Sequence, residues 1–260
     1  MSPSGIEPLF EGAATWNVHD AHVRVGPSGM HGELALDPAG LIEEMDRFGI
    51  RSALVSHWTA EEYDADEGNR ALARDLLPRF TPAWAALPDR ESVKALAARR
   101  PLAVRLTPGV TQHNFSTAPW CAGPLFEYLE GQSVITLMSR VDIEWDRLVQ
   151  VMENFPRLVV LLLDVGYRSD RHLWPLLGRF PGLHFDSASY LAHRQVEAFV
   201  DRYGPDRLLF GSRLPLYTPA AALGVLASAR MSADARLAVA GGNLRRLLAA
   251  CRNASVDVQA

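Results

Sequence analysis

The chain is almost without lysine. Of its 26 basic residues only Lys94 is one, so arginine carries the positive charge, and a guanidinium cannot shed its proton to adapt to burial. Cysteine is scarce too. Cys121 and Cys251 cannot build a disulfide framework and are expected as free thiols in a reducing compartment. No window approaches 18 uncharged apolar residues, and the opening MSPSGIEPLFEG lacks both a basic and an apolar stretch. Neither a membrane span nor a secretory leader is expected, and a cytoplasmic protein is. A formal net charge of −4 argues against nucleic acid or an anionic membrane as partner.

What is present suits one sizeable core: 260 residues, 48% hydrophobic and 22% charged. Short apolar runs alternate with amphipathic stretches along the whole chain. Eight read as strands: WNVHDAHVRV, SALVSH, TPAWAAL, LAVRLTP, SVITLMSR, LVVLLLDVG, LHFDSASY and RLLFGSRLP. Between them lie helical patterns such as PAGLIEEMDRFG, and DIEWDRLVQVMENFP with Asp142 as its N-cap. Eight strands each followed by a helix predict an α/β fold, a single (β/α)8 TIM barrel. One domain covers residues 1–260, with its core over about 16–250 and a frayed tail over 252–260. The longest irregular segment is TPGVTQHNFSTAPWCAGP, after the fourth strand.

In such a barrel, chemistry sits at the carboxyl ends of the strands. Because side chains alternate along a strand, Asp20, His22 and Arg24 are expected on one face, toward the interior. The same count places Arg105 at strand four, Met138 and Arg140 at strand five, Asp164 at strand six and Arg213 at strand eight. Strand seven offers Asp186, Ser187 or Ser189. The resulting mouth holds several arginines, one histidine and at least one aspartate. Trp58 and Trp120 fall in segments that would cover it. Among the other histidines, His57 and His113 lie nearest to these loops.

Three motifs in order resemble the amidohydrolase superfamily, in its amidohydrolase-related branch. Asp20-Ala21-His22-Val23-Arg24 is similar to the family's D-x-H-x-H. Phe210-Gly211-Ser212-Arg213-Leu214-Pro215 looks like F-G-S-D-x-P, and Gly242-Asn243-Leu244-Arg245-Arg246-Leu247-Leu248 is similar to the opening of the final helix. The resemblance implies a hydrolase, lactonase or decarboxylase barrel holding a divalent metal. The chain departs from that pattern at the metal ligands. Only His22 keeps a ligand type, while Arg24, Met138, Asp164 and Arg213 stand at the other positions.

Two donors, His22 and Asp164, are too few for zinc. A guanidinium about 4 Å from a divalent ion would repel it by roughly 8 kcal/mol at an effective dielectric of about 20. No metal and no cofactor is therefore expected. The first of two functional expectations is a metal-independent hydrolase, lactonase or decarboxylase acting on a small anionic, carboxylate-bearing molecule. In it His22 is the base, since an adjacent guanidinium disfavours the imidazolium, Asp164 orients it, and Arg24, Arg105, Arg140, Arg213, Trp58 and Trp120 hold the substrate. The second is a catalytically inactive barrel serving as a binding module or as a partner subunit of an active homologue, in a homodimer or with a related barrel. An open, wet, positively charged mouth with His22 reachable favours the first; a mouth filled by Met138 and closed arginine-aspartate pairs favours the second.

Overall fold

The structure, a computed structural model, describes residues 13–257. Eight strands form one parallel sheet in sequential order: β1 (Val18–Val25), β2 (Ile50–His57), β3 (Phe80–Ala85), β4 (Ala103–Leu106), β5 (Ile135–Ser139), β6 (Val159–Leu163), β7 (Leu183–Asp186) and β8 (Leu208–Leu209). All eight sequence-predicted strands are present. The sheet closes through irregular backbone beyond the short β8, where Ala21 N donates to Phe210 O and Arg24 N to Leu214 O. This is the (β/α)8 TIM barrel.

Helices follow the strands: α1 (Pro38–Arg47), α2 (Trp58–Glu62), α3 (Ala65–Asp75), α4 (Arg90–Arg99), α5 (Pro119–Gly131), α6 (Trp145–Asn154), α7 (Asp170–Arg179), α8 (Gln195–Tyr203), α9 (Pro219–Ser228), α10 (Ala233–Leu237) and α11 (Asn243–Asp257). Aspartates start three of them, because a short carboxylate can accept from an N–H of the first turn that has no helical partner. Asp37 accepts from Gly40 N, Asp64 from Glu67 N and Asp89 from Ser92 N. The expected cap at Asp142 is corrected: α6 begins at Trp145 with Glu144 at its N-cap, and Asp142 turns inward instead. The long segment after β4 is shorter than expected, since α5 takes up PWCAGP. The last helix, α11, continues to Asp257; residues 258–260 of the expected tail lie outside the described residues.

Two apolar layers follow from strand alternation. One packs Leu41, Met45, Leu72 and other helix residues on Val55, Leu106, Met138, Leu162 and Phe185. The other fills the barrel interior with Leu54, Ala83, Ala103, Ile135, Leu137, Leu161 and Leu163, closed at the bottom by Leu244, Leu248 and Cys251 of α11. Asn69 ties α3 to the end of β3, donating to Ala85 O and accepting from Ala85 N, both at 2.9 Å.

The layers correct one assignment. Met138 pairs in register with Leu106 and packs in the helix-facing layer, whereas Leu137 pairs with Arg105 and faces inward. Ser139, not Met138, is therefore the inward residue ending β5. Burial raises the Cys251 thiol to about 11, and neither cysteine is in a disulfide among the described residues. Among the described residues no helix is long and apolar enough to cross a membrane.

Candidate functional site

The site begins with an irregularity in β1. A register shift between Asp20 and Val23 pairs Asp20 with Ala53, of the helix-facing layer, but Arg24 with Ser56. Bulges of this kind re-aim side chains beside functional sites. Asp20 and Arg24 thus do not share a face, as strict alternation had predicted. Asp20 turns to the β1–β8 seam, where its Oδ1 accepts from the backbone N–H of His22 and of Ser212, both at 3.0 Å. Its Oδ2 is buried without a hydrogen-bond partner, and burial pushes the carboxyl up to about 7.

His22 and Arg24 stay in the mouth. Arg24 Nη1 lies 2.9 Å from His22 Nε2, and His22 Nδ1 lies 2.7 Å from Asp186 Oδ2. A guanidinium can only donate, so Nε2 accepts and the ring proton sits on Nδ1, donated to Asp186. Arg24 Nε donates to both oxygens of Glu61, at 3.1 and 3.0 Å, and Ser56 Oγ donates to the same carboxylate. Trp58 covers the assembly, with the Arg24 guanidinium 4.8 Å from its ring centre. Arg105 Nε stands 3.3 Å from Glu61 Oε2, and its Nη2 3.8 Å from Asp142 Oδ2.

A second chain of contacts meets the first at Asp186, whose Oδ1 accepts from Asp164 N at 3.2 Å. Asp164 follows β6 with a left-handed φ of 57°, and Arg213 follows β8 with φ of 63°. Non-glycine residues rarely adopt this conformation, and here it turns both side chains toward each other. Arg213 Nε is 3.0 Å from Asp164 Oδ1, Ser139 Oγ donates to Asp164 Oδ2 at 2.6 Å, and Arg213 Nη1 donates to Tyr217 Oη at 3.1 Å.

The cluster is buried, and its carboxylates outnumber its guanidinium groups. Arg24, Arg105 and Arg213 face four carboxylates, Glu61, Asp142, Asp164 and Asp186. The expectation of a net positive mouth is therefore corrected. Burial alone would raise Glu61, but Arg105 and Arg24 outweigh it and hold the carboxyl at about 2. Burial would likewise raise Asp164, but the His22–Arg24 pair, Arg213 and the Ser139 hydroxyl hold it below the usual range. Asp186 and Asp142 move up, because burial exceeds what His22 gives the first and Arg105 the second. His22 is 2% exposed, Arg24 5% and Asp186 0%, so solvent scarcely reaches the imidazole.

Of the sequence-predicted residues, His22, Arg24, Arg105, Asp164, Arg213 and Trp58 come together. Asp186 is the strand-seven residue that joins them; Ser187 Oγ bonds instead to Gly211 O. Two residues do not join. Arg140 turns away, donating to Ile143 O at 2.6 Å, pairing with Glu144 at 3.3 Å and lying over Trp145. Trp120 is 82% exposed at the start of α5. His57 caps α2, and His113 lies 2.8 Å from Ala60 O. Glu61, Asp142 and Ser139 were missed; the need of buried arginines for partners was the one signal pointing to acids in the adjoining segments.

The residues present do not fit the divalent metal that the family resemblance implies. The Nε2 lone pair of His22 accepts from Arg24, Nδ1 is held by Asp186, and the implied ligand positions at the end of β1 and after β8 carry guanidinium groups. Among the described residues no three His, Cys, Asp or Glu side chains form a group able to hold a metal ion.

The fold and site thus define a barrel with a buried ionic network at the carboxyl ends of its strands. No family model and no curated protein matches the chain. Solved structures do match. A TIM-barrel protein from Bordetella bronchiseptica is 17% identical, with 90% of this chain and 100% of that one covered and a TM-score of 0.70. A 5-carboxyvanillate decarboxylase from Sphingomonas paucimobilis is 14% identical, over 90% and 99%, at 0.71. A dihydroxybenzoic acid decarboxylase from Polaromonas, solved with bound manganese and the inhibitor 2-nitroresorcinol, is 14% identical, over 90% and 97%, at 0.69. At these identities the likeness is one of fold.

Two predictions follow from the burial of the network. Glu61→Gln leaves two buried guanidinium groups short of their shared counter-charge and should cost about 3–5 kcal/mol in urea unfolding. Arg140→Ala, which breaks a half-exposed pair, should cost no more than about 1 kcal/mol. The raised Asp20 carboxyl gives a pH signature. It stays protonated in the fold up to about pH 7, whereas the unfolded chain releases that proton near pH 4. Its contribution to stability is whole below pH 4 and is lost as pH rises toward 7, by at most about 1.4 kcal/mol per pH unit. Urea unfolding of the wild type relative to Asp20→Asn should therefore decline between pH 4 and 7; parallel profiles would contradict the buried acid.

Proposed function

We propose that this chain is a catalytically silent barrel, similar in architecture to decarboxylases of which one is solved with bound manganese, and that it works as a binding or partner module. The observation that carries this is the Arg24–His22 contact of 2.9 Å inside a mouth where His22 is 2% exposed. A general base needs a free lone pair within reach of the substrate proton. Both ring nitrogens of His22 are engaged, and each guanidinium around it stands against a carboxylate. The network then serves stability, holding together the strand ends that a metal would otherwise bridge.

One feature favours the alternative, a metal-independent enzyme acting on a carboxylate-bearing molecule. Asp164 and Arg213 both hold left-handed backbone and face each other, and such conformations cluster at working sites. The Arg213 side chain is 20% exposed. A substrate carboxylate exchanging with Asp164 for this guanidinium would be the first step of entry, with His22 freed afterwards.

Release of carbon dioxide from 2,6-dihydroxybenzoate and 5-carboxyvanillate, with and without manganese, separates the two when read beside thermal unfolding. The silent barrel predicts no release above the protein-free rate, and a lower melting temperature for Arg24→Ala. Turnover that disappears in His22→Ala while the fold persists would establish the enzyme instead.

A further inference from the structure

The surface around the closed mouth is unlike the rest of the molecule. Among the described residues six large apolar side chains are more than half exposed: Met30, Tyr63, Val110, Trp120, Val141 and Tyr167, at 53 to 82%. Each lies in a segment that follows a strand: Met30 after β1, Tyr63 after β2, Val110 and Trp120 after β4, Val141 after β5 and Tyr167 after β6. All six therefore stand on the carboxyl-end face of the barrel. An aromatic side chain offers roughly 150–250 Å², so their exposed parts total on the order of 700 Å². That approaches the ~800 Å² each partner gives to a standard interface.

Charge on this face is divided into two sectors. Beside Tyr63, after β2 and β3, a depression of about 490 Å³ is lined by Asp64, Asp66, Asp89 and Glu91 against one arginine, Arg90. Three strands further round, after β5 and β6, a second depression of about 490 Å³ is lined by Arg140, Arg168 and His172 with no carboxylate. Glu144, the exposed partner of Arg140, borders it. The two sectors lie across the mouth from one another in the β1–β8 order.

A two-fold axis lying in this face, perpendicular to the line joining the sectors, sets the acidic side of one copy on the basic side of the other, twice. The arrangement is thus complementary to itself, which is what an isologous interface requires. We infer that the chain forms a two-fold homodimer through its carboxyl-end face, with the apolar rim buried and the acidic and basic sectors matched. The partner is a second copy of this chain. The inference rests on the silent mouth, since a partner on this face covers it, but the two are tested apart: the dimer is read by mass and the mouth by turnover.

The test is sedimentation equilibrium and light scattering on the full chain at tens of micromolar. The wild type is expected at twice the chain mass. Trp120→Glu with Tyr167→Glu, and separately Arg140→Glu with Arg168→Glu, should each give a monomer with an unchanged circular dichroism spectrum. Asp64→Arg with Asp66→Arg should also be monomeric alone, yet form a mixed dimer with the Arg140/Arg168 double variant. A monomeric wild type, a dimer indifferent to these changes, failure of the two charge variants to pair, or dimerisation only with another protein would overturn the inference. A charge variant that loses its dichroism spectrum is replaced by Arg168→Ala, for which the dimer dissociation constant should rise at least tenfold and become less sensitive to salt; an unchanged constant would overturn it as well.

Discussion

The Arg24 guanidinium is the piece on which the mouth depends. It is wedged between an imidazole and a carboxylate, donating through Nη1 to His22 and through Nε to Glu61. A buried arginine cannot neutralise itself, so its surroundings must supply acceptors and opposite charge. That requirement accounts for Glu61 at the end of α2, for the Ser56 hydroxyl beside it, and for the ring proton of His22 being directed to Asp186. Arg105 shares the same carboxylate and draws in Asp142.

At the strand ends where the family resemblance implies a divalent metal, the chain places charged side chains. A metal and its histidines would hold the strand ends by coordination; here ion pairs and charged hydrogen bonds hold them. The difference has a chemical consequence. Coordination leaves an open position for a water or a substrate, whereas the network directs its lone pairs and N–H groups inward. The irregular backbone of the site serves that closure too: the β1 bulge separates Asp20 from Arg24, and the left-handed Asp164 and Arg213 bring β6 and β8 into contact across the mouth.

Much of this was legible in the sequence. The eight apolar runs mapped onto eight strands, and His22, Arg24, Arg105, Asp164 and Arg213 fell at strand ends by counting alone. Counting failed where the backbone leaves regular alternation. A bulge inside β1 has no sequence signature here, so Asp20 was placed on the wrong face. At β5 a shift of one position exchanged Met138 for Ser139. Asp142 reads as a helix cap because aspartate suits that position, but burial beside Arg105 prevailed over local preference. Glu61 was the costliest omission. It lies on a one-turn helix rather than a strand, and without it the mouth looked positively charged.

The central claim is that the Arg24 contact occupies the lone pair with which His22 would meet a metal or a substrate proton. Nitrogen-15 NMR of the histidine side chains at pH 8, titrated with zinc and with manganese, tests it directly. The account predicts a His22 ring carrying its proton on Nδ1, with Nε2 in a hydrogen-bonded acceptor position that zinc does not move and manganese does not broaden. A stoichiometric shift of the Nε2 resonance on adding zinc, abolished in His22→Ala, would contradict it.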